Sequence, residues 1–122
     1  MTAITAATRA WRVILLLLIV AVGYLALAPA PPPTMDTGWD KLNHALAFTA
    51  LAFAGCLGFP AAQGGRTVLL AALISLGAAI EILQLFVPGR SGEWNDLFAD
   101  SIGIACGTVI ATGVMWWTSR RL

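Results

Sequence analysis

The stretch EILQLFVPGRSGEWNDLFAD, Glu81 to Asp100, places four acids and an arginine between two runs that are otherwise apolar. Helical spacing pairs several polar groups. Glu81 and Gln84 are three apart, Asp96 and Asp100 four apart, and Asp40 and His44 four apart, so each pair shares a helix face. Carboxylates and an imidazole are donors that suit a divalent metal, with His44, Glu81, Asp96 and Asp100 as the candidate ligands. The same groups suit proton transfer: Asp40 would orient His44 as a general base, and Glu81 and Asp100 complete the catalytic candidates. Lys41 and Arg90 add cationic groups fit for phosphate. No H-E-x-x-H or G-x-S-x-G motif accompanies them, and Ser91 has no base beside it in sequence.

The elements that must position these groups follow from composition. The chain has 122 residues, 59% hydrophobic and 11% charged, with mean hydropathy +0.85. A soluble domain needs a far more charged surface. One membrane domain over residues 1–122 is expected. A span needs about 20 mostly apolar residues. Four runs qualify: Trp11–Ala28, Leu42–Gly58, Thr67–Val87 and Leu97–Trp117. The reading is an all-α integral membrane bundle of four transmembrane helices. Pro31, Pro32 and Pro33 form a stiff linker after the first. That run is long for a signal-peptide core, and Pro29 or Pro31 would follow any cut, so a retained helix is expected.

Charge sets the orientation. With the N-terminus inside, the inner ends hold Arg9, Arg12, Arg66, Arg120 and Arg121 and no acid. All six acids, with Lys41, His44 and Arg90, fall on the outer half. The outer half is then −4 and the inner +5, which together make the net +1. This agrees with the positive-inside rule and makes both termini cytoplasmic. Trp39 and Trp94 fall at the outer boundary, Trp11, Trp116 and Trp117 at the inner one, as an aromatic belt requires. Five inner arginines are a topogenic signal and carry no case for nucleic acid.

Glu81 lies about 9 Å inside the outer end of its helix, and Asp100 about 9 Å below Trp94. His44 lies one to two turns below Trp39. The matched depths put polar groups from three helices on one outward-facing pocket. Charges at such depth usually face a bundle interior or cavity. Plainer roles fit other residues. Asp36 and Glu93 read as solvated loop acids, Asp40 and Asp96 also as N-caps, and Lys41 and Arg90 also as interfacial snorkels. Cys56 and Cys106 read as small packing residues. Gly103 and Gly107 form a GxxxG pair, with Ala99 and Ala111 at the same spacing, for close helix contact within one chain or across a homodimer.

Three segments carry a family resemblance: DKLNHALAF at Asp40 to Phe48, EILQLFVPGRSGEWNDLFAD, and GIACG at Gly103 to Gly107. Together they resemble the VanZ-like family, named for a protein associated with teicoplanin resistance. The shared pattern is D-K-x-x-H opening one span, E-x-x-Q-x-F ending another, P-x-R, and D-x-x-A-[ND]-x-x-G opening the last. It extends from Trp39 to about Gly107. Asp100 stands where many members have Asn, which weakens a metal or proton role there. The resemblance implies a multi-span protein of the bacterial cytoplasmic membrane and no settled reaction.

The first functional expectation is a site at the outer leaflet that binds or handles an amphiphilic envelope molecule. A lipid-linked cell-wall intermediate or a lipoglycopeptide would fit, met by Asp40, Lys41, His44, Glu81, Gln84, Arg90, Asp96 and Asp100. The alternatives are a membrane-embedded hydrolase or transferase on a lipid phosphate, with a divalent metal, and a small dimeric transporter or lipid flipping device.

Overall fold

The computed structural model describes residues 6–29, 40–60, 65–90 and 92–121, with only the backbone of Asp40. Asp36, Trp39 and Ser91 therefore lie outside the described residues. Four helices follow in order: α1 Ala6–Leu27, α2 Asp40–Gly58, α3 Gly65–Gln84 and α4 Trp94–Ser119. No strand occurs among the described residues.

The helix ends depart from the hydropathy boundaries for physical reasons. α4 begins three residues ahead of Leu97, because its first turn is polar and hydropathy does not register it. Its N-cap is Glu93, in an extended conformation, rather than Asp96. Asp96 sits in the first turn, where an acid favours the helix N-terminus. α3 stops at Gln84 instead of Val87. Leu85, Phe86 and Val87 donate to carbonyls three residues back, at 3.0–3.2 Å, which tightens the chain out of the helix. Pro88 cannot continue it, and Gly89 turns away at φ 79°.

Among the described residues, three helices are long and apolar enough to cross a membrane: α1, α3 and α4. α2 is the exception, and its place in the bundle explains why. It is the central helix, packed most extensively on α4 and then on α1. Phe48, Leu51, Ala52, Ala54 and Cys56 are almost wholly buried along it. A helix enclosed by others needs small and polar contact groups more than a lipid-facing coat. The outer helices carry that coat, with Leu16, Leu17 and Val20 on α1, Val68 on α3 and Val109 on α4 exposed.

The core joins Leu15 of α1, Phe48, Leu51, Ala52 and Ala54 of α2, Leu73 and Ile80 of α3, and Ile104 of α4. Trp11 packs edge-on against Phe53, with ring centroids 5.5 Å apart. At one end of the bundle Arg12 Nε donates to the Gly58 carbonyl at 2.7 Å, and Arg66 reaches Thr112 Oγ1 at 3.4 Å. The start of α1 thus meets the end of α2, and the start of α3 lies by the end of α4. Arginines gather at this end, and Arg120 and Arg121 stack on Trp116 and Trp117. The buried polar side chains gather at the opposite end.

The small-residue stripe of α4 is used within the chain. A Cβ on Gly103 would strike the Ala45 carbonyl, and one on Gly107 the Thr49 carbonyl and Ala52. Both glycines are buried, so of the two contacts the stripe left open, within one chain or across a homodimer, α2 supplies the first. Cys56 is buried as a packing residue, whereas Cys106 is exposed. Gly107→Ala should lower the thermal midpoint by an overpacking cost of about 1–3 kcal/mol. Gly113, with nothing within 4 Å of its Cβ position, should accept alanine with no loss. Equal responses in a melting experiment would refute the close α2–α4 contact.

Candidate functional site

His44 lies one turn into α2 and is buried in the bundle. Its side chain is 8% exposed. Nδ1 stands 2.8 Å from Asp100 Oδ1 on α4. With Asp100 ionised, the carboxylate accepts and the imidazole donates. Nδ1 is also 3.6 Å from Glu81 Oε1 on α3, and Nε2 is 3.6 Å from Asp96 Oδ2. The four-residue spacing of Asp96 and Asp100 therefore brackets both nitrogens of one ring. Glu81, Asp96 and Asp100 are all at or below 3% exposure.

Glu81 is held by its own loop. Oε2 accepts the Glu93 backbone N–H at 2.9 Å, while Oε1 is buried and has no hydrogen bond. Gly92 lies so close over the end of α3 that a Cβ there would strike the Glu81 carbonyl. Gly77 performs the matching service inside: a Cβ at that position would sit 2.7 Å from Asp100 Oδ2. Its spacing of four from Glu81 marks it in the sequence as a member of the same face. Glu93, expected to be a solvated loop acid, joins the site through its backbone and its pairing with Lys41. The Lys41 Nζ is 3.3 Å from Glu93 Oε2 and 3.7 Å from Asp96 Oδ1, at the rim.

Two expected site residues point elsewhere. Gln84 Nε2 donates to the Ala26 carbonyl at 2.8 Å. Arg90 donates from Nε to Ala28 at 2.8 Å and from Nη2 to Leu25 at 2.6 Å. These are carbonyls that the end of α1 cannot satisfy within the helix. Gln84 and Arg90 thus fasten α1 to the end of α3 and do not touch the His44 cluster. The side chain of Asp40 is outside the described residues.

The four central groups are packed shut. Among the described residues, a cleft of about 40 Å³ lies beside them, lined by Glu81, Ile82, Leu85, Gly92, Glu93 and Trp94. That is room for roughly two or three waters. Glu81 alone of the cluster borders it. One ligand atom each from His44, Glu81 and Asp100 lies within 4.8 Å of the others, so the arrangement can hold a proton or a small cation between three helices.

The two-pronged grip of Arg90 predicts that Arg90→Lys recovers only part of the stability lost in Arg90→Ala, since a lysine cannot reproduce the guanidinium fork. Thermal melting of the three proteins checks this, and full recovery by lysine would rule out the fork.

Neither a curated protein nor a solved structure matches this chain. The VanZ/LLP1 family matches residues 5–117, nearly the whole sequence and all four helices. The chain therefore belongs to the VanZ/LLP1 family.

Proposed function

We propose that the chain is a four-span protein of the bacterial cytoplasmic membrane, with both termini cytoplasmic. At its outer face it binds the head of an amphiphilic envelope molecule, either a lipid-linked cell-wall intermediate or a lipoglycopeptide. In that role it would contribute to tolerance of teicoplanin-type antibiotics, in keeping with the protein for which its family is named. α2 enters as the fourth span: its 19 residues reach about 28 Å at the helical rise, close to the thickness of a hydrocarbon core.

One observation carries the reading. The buried polar side chains, His44, Glu81, Gln84, Asp96 and Asp100, all lie at a single end of the bundle. α2 and α4 begin there, so their helix N-termini face the same region and favour an anionic head. Lys41 stands at the rim with its side chain 37% exposed, paired with Glu93 and Asp96, where its ammonium would also meet a phosphate or carboxylate. Trp94 and Phe98 are exposed in the first turns of α4, where the polar head and apolar tail of an amphiphile would part. The cleft is too small for a whole head group, so the ligand would rest over the rim and meet the cluster through Glu81.

Binding to the protein in lipid nanodiscs, with an undecaprenyl-linked pyrophosphate intermediate and with teicoplanin as probes, tests this. His44→Ala and Glu81→Ala should each weaken binding about tenfold, or roughly 1.4 kcal/mol. Glu93→Ala keeps the backbone N–H that holds Glu81 and should bind nearly as the parent does. Equal affinity in all three variants, or labelling of a cysteine at Trp94 from the cytosolic side, contradicts the proposal. Turnover of the lipid phosphate that vanishes in Glu81→Gln would replace binding by catalysis.

A further inference from the structure

We propose that His44, Glu81 and Asp100 bind one divalent cation of the zinc or manganese class. The inference rests on the same cluster as the proposed function, but does not depend on any amphiphile being bound there.

Spacing is the first argument. Metal–ligand distances of about 2.0–2.2 Å place neighbouring ligand atoms roughly 2.8–3.6 Å apart in octahedral or tetrahedral spheres. His44 Nδ1 is 2.8 Å from Asp100 Oδ1 and 3.6 Å from Glu81 Oε1, within that range, and one ligand atom from each of the three residues lies within 4.8 Å of the others, so the two carboxylates need draw in only slightly on an ion. A cation at Nδ1 requires a neutral ring with its one proton on Nε2, facing Asp96; a neutral ring's Nδ1 proton would move to Nε2, and only a doubly protonated ring would release one to solvent.

A second, independent observation is Glu81 Oε1. The side chain is 3% exposed, the atom has no hydrogen bond, and it is aimed at Nδ1. A buried carboxylate oxygen left without a donor is costly, and a cation supplies what is missing. The orientation of this oxygen is fixed, because the Glu93 N–H pins its partner Oε2.

The surroundings match what ligands need. Asp96 Oδ2 faces Nε2, the opposite side of the ring. Asp96 is thereby removed from the ligand set that spacing alone suggested, and takes the place of the carboxylate that commonly orients a ligating histidine. Gly77 leaves open the space beside Asp100 Oδ2 that a Cβ would fill. Glu81 alone of the three borders the cleft formed with Gly92 and Trp94. One imidazole with two carboxylates is a mixed donor set accepted by zinc and manganese, while thiolate-seeking ions would find no sulfur ligand.

The test uses the full chain in nanodiscs, stripped with chelator, loaded separately with Zn2+ and Mn2+, freed of unbound ion and analysed for metal. The parent and Gly113→Ala should retain about one ion per chain, and Glu81→Gln and Asp100→Asn should lose it by about tenfold or more. Loading should raise the thermal midpoint of the parent and leave that of Glu81→Gln unmoved, which separates lost ligation from lost folding. A parent chain that retains neither ion, or a Glu81→Gln chain that retains as much as the parent, overturns the site. Amphiphile binding by a chain that holds no ion would sink the metal site alone. A retained ion without amphiphile binding would sink the proposed function alone.

Discussion

Four ionisable side chains are enclosed at one end of an otherwise apolar bundle, and the rest of the structure follows from the need to bring them together. A single charge at membrane depth costs about 2.5–3.5 kcal/mol on insertion scales. Spread over separate lipid-facing surfaces, His44, Glu81, Asp96 and Asp100 would each meet that cost alone. Drawn together, they share one ring among three carboxylates, with His44 Nδ1 and Asp100 Oδ1 2.8 Å apart at the centre and Glu81 Oε1 left without a hydrogen bond. This fixes which helices must touch and at which end. α2 supplies the ring, α4 brackets it, and α3 closes the third side.

Such convergence demands close backbone approach, and the glycines supply it. Gly103 and Gly107 let α4 lie directly on carbonyls of α2, while Gly77 and Gly92 clear the space around Asp100 and over Glu81. The helix that gives up most apolar surface to this packing is α2, which is also the one least hydropathic. α1 is the most lipid-like helix and takes no part in the cluster. It is fastened at its end by Gln84 and Arg90 from the α3 terminus. A short segment thus both supplies Glu81 to the cluster and holds the outermost helix.

Much of this was legible in the sequence, because helix period and the cost of buried charge are local rules. The four-residue spacing of Asp96 and Asp100, and the matched depths of His44 and Glu81, pointed to a shared face, and the family pattern runs through the same positions. Gly103 and Gly107 marked a packing face, but nothing in one chain's spacing says whether the partner is α2 or a second copy. Arg90 and Gln84 looked like site residues since both are polar and near Glu81. Their partners are backbone carbonyls of α1, which carry no sequence mark. The start of α4 was missed by three residues because hydropathy begins at Leu97 while the cap is Glu93. The size of the cleft depends on how Leu85, Gly92 and Trp94 pack, which no periodicity encodes.

The convergence of α2 and α4 at His44 and Asp100 can be measured directly. In a chain with Cys56 and Cys106 replaced by alanine, His44→Cys and Asp100→Cys together would present two thiols across the helix pair. Treatment in native membranes with the shortest bifunctional methanethiosulfonate reagent, followed by intact mass analysis, should find both thiols joined by one linker within a single chain. Two separate adducts on each chain, or linkage only between chains, would contradict the account.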